Sequence, residues 1–123
     1  MATVRYLVND VDAAITFYAG LGFSMKERWG PPFVMLVKGD LELWLSGPGT
    51  SAARPMPDGA KPVPGGWNRL VISVADLPAV VTRLRGAGHR FRNDVVTGPG
   101  GSQILVEDPS GNPVELFEPG NPA

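Results

Sequence analysis

One acid, Glu115, sits between apolar neighbours in a strand pattern near the C-terminus, in the stretch DPSGNPVELFEP from Asp108 to Pro119. Glu115 lies between Val114 and Leu116. Strand alternation turns Glu115 and Phe117 to one face and Val114 and Leu116 to the other. A carboxylate there could ligate a metal, act as a general base, pair with a cation, or face water. Three other charges sit in similar settings: Arg5 in TVRYLV, Glu42 in LELWLS and Arg69 in NRLVISV. A guanidinium can grip a carboxylate, phosphate or enolate through paired hydrogen bonds. The sole histidine, His89, follows an apolar-periodic stretch and is expected to be a turn or surface residue. There is no cysteine, which removes disulfides and thiolate zinc sites. No nucleophile–base pair stands out, and GPGTSA lacks the lysine of a phosphate-binding loop.

Composition narrows the class. The 123 residues suffice for one ordinary domain with a real core. Hydrophobic residues make up 43% and charged residues 19%, a globular rather than a disordered balance. Net charge is −1 and no basic block is present, which argues against nucleic acid as the partner. The N-terminal stretch MATVRYLVNDVD has no basic-then-apolar signal pattern, and no apolar run approaches membrane-spanning length. The expectation is a cytoplasmic protein with no membrane partner.

The elements that must position these charges occur twice. Asp10 matches Asp76, Ala13 matches Ala79 and Gly22 matches Gly88, each pair 66 residues apart. Val11, Ala14, Ile15 and Tyr18 form an i, i+3, i+4, i+7 stripe, and Leu77, Val80, Val81 and Leu84 repeat it. Asp10 and Asp76 stand where helix N-caps belong, and Gly22 and Gly88 where left-handed C-terminal residues belong. Pro78 falls in a first turn, where its missing N–H is harmless. Strands Thr3–Val8 and Asn68–Val74 precede the two helices. Phe23–Trp29, Phe33–Lys38 and Leu41–Ser46 follow the first, and His89–Val96, Ser102–Glu107 and Pro113–Glu118 the second. The order is βαβββ, twice: module 1 over about 1–46, module 2 over about 67–119, a single domain over 1–123. Residues 47–66 between them hold five prolines and five glycines, a plain connection or a functional lid.

Two βαβββ modules, with DVDAAITFYAGLGF near the start and EDPSGNPVELFEP near the end, resemble the vicinal oxygen chelate superfamily. This group includes glyoxalase I, bleomycin-resistance proteins and extradiol dioxygenases. The resemblance implies an α+β fold of two tandem βαβββ modules, each a curled mixed sheet with one helix outside and a cavity inside. It also implies that metal-using members carry His, Glu or Gln facing inward on the first and last strand of each module. Alignment on the aspartate caps and terminal hairpins puts those positions at Thr3, Trp44, Arg69 and Glu115. Paired modules, often across two chains, imply a homodimer.

Alternation selects the cavity face. With Val4, Tyr6, Val8, Leu41, Leu43 and Leu45 on the helix, Arg5, Glu42, Trp44 and Ser46 turn inward. With Leu70, Ile72, Val114 and Leu116 on the second helix, Arg69, Val71, Ser73, Glu115 and Phe117 do the same. One carboxylate and a hydroxyl cannot hold a divalent ion tightly, and Arg69 would repel it. Neither a metal nor another cofactor is expected. Glu115 facing Arg69 is either a pair that orients a ligand or a structural ion pair. Arg5 and Glu42 could neutralise each other across neighbouring strands.

The expected function is metal-independent binding of a small molecule, aromatic or anionic, in the cavity between the sheets. The ligand-binding residues would be Arg5, Glu42, Trp44, Arg69, Glu115 and Phe117. The alternatives are a metal-dependent lyase, isomerase or dioxygenase, or a metal-free enzyme with Glu115 or Glu42 as base. An arginine beside a carboxylate makes it a poorer base.

Overall fold

Two aspartates start the two helices by the same local chemistry. The computed structural model, which describes residues 2–120, places Asp10 before α1 (Val11–Gly20) and Asp76 before α2 (Leu77–Gly86). The Asp10 carboxylate accepts from Ala13 N at 3.0 Å, and that of Asp76 from Ala79 N at 3.1 Å. Each satisfies an amide that has no partner within the helix. Leu77 N in the first turn of α2 also donates to Glu118 Oε1 at 2.8 Å, so the last strand helps to cap this helix. Gly22 and Gly88 close the helices with φ of 98° and 87°, a conformation that disfavours a side chain.

The remaining elements are β1 (Val4–Leu7), β2 (Ser24–Trp29), β3 (Phe33–Lys38), β4 (Leu41–Ser46), β5 (Leu70–Ser73), β6 (Val96–Gly98), β7 (Gly101–Glu107) and β8 (Pro113–Pro119). They form two four-stranded sheets of the same topology, ordered β1-β4-β3-β2 and β5-β8-β7-β6. In each, the first and last strands run parallel and the other pairs antiparallel. The fold is therefore α+β, two tandem βαβββ modules, each a mixed sheet with one helix. The chain divides into two compact units, one up to Gly65 and one from Gly66 onward. No helix among the described residues is long and apolar enough to cross a membrane.

In the first unit α1 covers Val34, Leu36, Leu43 and Leu45, all fully buried. Tyr18 anchors this core edge-on to Tyr6, Phe17 and Phe23 at centroid distances of 6.3, 5.0 and 5.6 Å. In the second unit Leu77, Val81 and Leu84 of α2 join Ile72, Ile104, Val106, Val114 and Leu116. Burial of each such side chain contributes about 1.5–3 kcal/mol, which fixes the strand faces firmly. The α1 stripe differs in one place from its expected form: Phe17 is buried with Val11, Ala14 and Tyr18, whereas Ile15 is only half-buried.

The expected strand over His89–Val96 is replaced by a mostly irregular segment. Only Phe91 bridges to Val106, and β6 begins at Val96. The segment runs beside β7, with Arg92 N donating to Leu105 O at 3.0 Å and Glu107 N to Arg90 O at 2.8 Å. The ladder breaks because Leu105 N turns to the Asn93 side chain, 2.9 Å away. Arg92 then staples the segment down. It donates to Glu107, Gly111 O and Gly66 O, and its guanidinium stacks 4.6 Å from the Trp67 ring centroid.

Candidate functional site

On the first sheet, the face opposite α1 is built by β1, β3 and β4. Register puts Arg5 across from Trp44 and Met35 across from Trp44 on its other side. These side chains project away from buried Leu43, Leu45, Val34 and Leu36, as alternation demands. The Arg5 guanidinium lies 5.3 Å from the Trp44 ring centroid and 6.0 Å from that of Phe33. Phe33 meets Trp44 edge-on at 5.6 Å and Trp29 at 6.2 Å. Together with Pro32, Met35, Thr50 and Ser51 they line a cavity of about 400 Å³.

The turn that carries Trp29 and Pro32 is held by Arg28. It donates to Gly30 O at 3.2 Å, Pro31 O at 2.9 Å and Asp12 Oδ1 at 2.8 Å. The wall formed by Thr50 and Ser51 comes from the Gly- and Pro-rich segment after β4. Gly47 N donates to Pro32 O at 2.8 Å, Thr50 Oγ1 donates to Gly47 O at 2.8 Å, and Ser51–Ala53 form a 3-10 turn. This stretch up to Gly65 belongs with the first unit, so it contributes a wall as well as a connection.

Glu42 does not neutralise Arg5. Its Oε1 accepts from Lys26 Nζ at 2.6 Å and its Oε2 from Trp44 Nε1 at 2.7 Å. Lys26 comes from β2, whose pairing with β3 shifts by one residue at Met25/Glu27. The Lys26 and then the Trp44 hydrogen bonds hold the Glu42 carboxyl below the usual glutamate range, against the upward push of its burial. A depressed folded-state value means that the contribution of Glu42 is complete above the unfolded-state value and is lost as pH falls through the folded one. Trp44 emission, followed in a Trp29→Phe/Trp67→Phe background, is therefore expected to stay constant through the ordinary glutamate titration and to change only below it. A transition at or above the ordinary value would contradict this coupling.

On the second sheet, Arg69 and Glu115 meet as the sequence suggests. Arg69 Nε and Nη2 both donate to Glu115 Oε1, at 3.1 and 2.9 Å, and Nη1 reaches Trp67 O at 3.4 Å. Glu115 is 8% exposed, opposite Val71 on β5 and Leu105 on β7. Phe117, two residues on, shares its face and is half-buried. The two sheets have matching registers, Val4 across from Leu43 and Leu70 across from Val114. One rung further, Trp44 and Glu115 are equivalent. By the same register Arg5 corresponds to Val71 and Arg69 to Thr3, so the two arginines reach equivalent partners, Trp44 and Glu115, from different positions. Trp29, Pro32, Phe33, Met35, Thr50 and Ser51 are lining residues that the candidate set lacked. Alternation in FVML marks Phe33 and Met35, but no local signal marks Thr50 or Ser51.

The family follows from the sequence and the topology together. Residues 1–116 match the Glyoxalase/Bleomycin resistance protein/Dioxygenase superfamily. The chain belongs to this superfamily. Solved structures with the same fold include a lactoylglutathione lyase from Agrobacterium tumefaciens, 22% identical with a TM-score of 0.70, covering 96% of this chain and 92% of that one. A glyoxalase family protein from Bacillus cereus is 22% identical with a TM-score of 0.74, covering 98% and 94%. A genomically encoded fosfomycin resistance protein from Listeria monocytogenes is 10% identical with a TM-score of 0.73, covering 98% and 93%. No curated protein matches the chain.

A metal of the kind used by some superfamily members does not fit these residues. At the aligned positions, Trp44 has no lone pair to offer and its N–H is given to Glu42. Arg69 brings a positive charge, and Glu115 Oε1 already accepts two of its hydrogen bonds. That leaves the Thr3 hydroxyl and one carboxylate oxygen, too few for a hard or a transition cation. Among the described residues no group of three or more His, Asp or Glu side chains comes together.

Proposed function

We propose that this superfamily member binds a small molecule without a metal. The observation that carries the reading is the first module's cavity. It has aromatic walls, one stacked guanidinium, and a neighbouring acid, Glu42, whose two oxygens are both engaged. At about 400 Å³ it lies within the roughly 300–1,000 Å³ typical of ligand pockets, which are mostly apolar with a few aimed polar groups. The similar folds of a lactoylglutathione lyase and a fosfomycin resistance protein support a small-molecule site. On the second sheet, Arg69, Glu115 and Phe117 place an ion pair beside an aromatic ring on one face.

General-base catalysis is disfavoured by geometry. Glu42 holds Lys26 and Trp44, and Glu115 holds Arg69, so neither is free to take a substrate proton without breaking its pair.

The test combines elemental analysis with a thermal-shift screen of a metabolite library in the presence of chelator. Metal well below one equivalent and ligand-induced stabilisation that survives chelation are expected. Near-stoichiometric zinc, nickel, iron or manganese, or binding abolished by chelator and restored by metal, would overturn the reading.

A further inference from the structure

We propose that the first module's cavity takes a planar aromatic monocarboxylate, with its ring against Trp44 and Phe33 and its carboxylate on Arg5; this rests on the small-molecule reading above. Charge comes first. Among the described residues Arg5 has no carboxylate within ion-pair distance, and the cavity lining contains no acid. Glu42 stands behind Trp44 with Lys26 as its cation, so the two cancel. The cavity therefore presents one uncompensated positive charge in apolar walls. A single anionic group offsets it, whereas a dianionic phosphate would be left with excess charge and no second cationic side chain in the lining to receive it.

Shape comes second. The guanidinium carbon lies 5.3 Å from the Trp44 ring centroid and 6.0 Å from that of Phe33, so two rings restrain the Arg5 side chain, and its fork can make a two-pronged contact with a planar carboxylate. Trp44 is itself locked by its 2.7 Å hydrogen bond to Glu42. Trp29 is 61% exposed and meets Phe33 edge-on at the rim, offering a further aromatic contact to a flat ring. A rigid aromatic wall favours a flat, unsaturated ligand over a puckered one, because stacking needs close parallel or edge-on approach.

The experiment uses the full chain with 2-naphthoate, 2-naphthamide, 2-naphthylmethylamine, cyclohexanecarboxylate and inorganic phosphate as probes, read by calorimetry and tryptophan emission. Naphthoate is expected to bind, and naphthamide to bind about ten- to a hundredfold more weakly, the loss of one charge-assisted hydrogen-bond pair. Arg5→Gln should weaken naphthoate by a similar factor and leave naphthamide unchanged, a charge-specific difference that a merely structural role would not produce. Arg5→Lys should recover part of the loss. Naphthamide binding as tightly as naphthoate on the parent chain would overturn the inference without recourse to any variant. Phosphate or cyclohexanecarboxylate matching naphthoate would overturn it as well. Should naphthylmethylamine bind best, the anion inference falls and the small-molecule reading stands. If neither these probes nor a broad library binds, both fall.

Discussion

Asp108→Ala is expected to lower the stability of the fold by about 3–5 kcal/mol, because three donors in a closed turn lose their acceptor. Asp108 is buried at the start of DPSGNP. Its Oδ1 accepts from Ser110 N and Asn112 N, both at 2.9 Å, and its Oδ2 from Asn112 Nδ2 at 3.0 Å. The backbone closes the same loop through Asp108 N to Asn112 O at 2.8 Å and Gly111 N to Asp108 O at 3.0 Å. The turn sets the register of β7 with β8, and so the position of Glu115 across from Leu105. Asp108→Asn should recover part of the loss, since its carbonyl oxygen can still accept from the two amides. Urea unfolding of the three proteins checks this. A loss below about 1 kcal/mol for alanine would show that the turn holds without its carboxylate.

Arg69→Ala is expected to cost about 2–3 kcal/mol. Removing one member of a buried pair typically costs about 3–5 kcal/mol, since the remaining charge is stranded. The Arg69 side chain is 29% exposed, so solvent screens part of the effect. Arg69→Ala combined with Glu115→Ala should be more stable than Arg69→Ala alone, because the stranded carboxylate is gone. A double variant no more stable than the single one would contradict this account of the pair. Ligand binding separates the pair's two roles. If it only stabilises the fold, the double variant should bind as tightly as the parent once both are folded. If it also orients ligand, restored stability should not restore affinity.

Much of this was legible because it is local. Helix caps at Asp10 and Asp76, glycine stops at Gly22 and Gly88, and the alternation of LELWLS and PVELFEP each depend on a few consecutive residues. The 66-residue repeat then marked the βαβββ order as doubled, and the superfamily resemblance brought Arg69 and Glu115 to facing positions. The errors lie where a side chain from elsewhere decides. Asn93 takes the Leu105 amide and ends a strand that its apolar content suggested. Lys26 on β2 claims Glu42, a choice invisible until β2 and β4 are placed on either side of β3. Phe17 is buried in place of Ile15 because it flanks the Ala14 side of the helix stripe, where Tyr18 supplies an edge-on partner. The Gly- and Pro-rich segment has no periodicity, so its role as the wall that places Thr50 and Ser51 rests on its hydrogen bonds to β3's approach turn and to itself.

The most direct test of metal-free ligand binding is a crystal structure of chelator-treated protein soaked with 2-naphthoate. The account predicts naphthoate in the first module's cavity, its ring against Trp44 and Phe33, its carboxylate on Arg5, and the Arg69–Glu115 pair intact. A naphthoate bound through a cation at Glu115, or one seated away from Arg5 and Trp44 altogether, would contradict it.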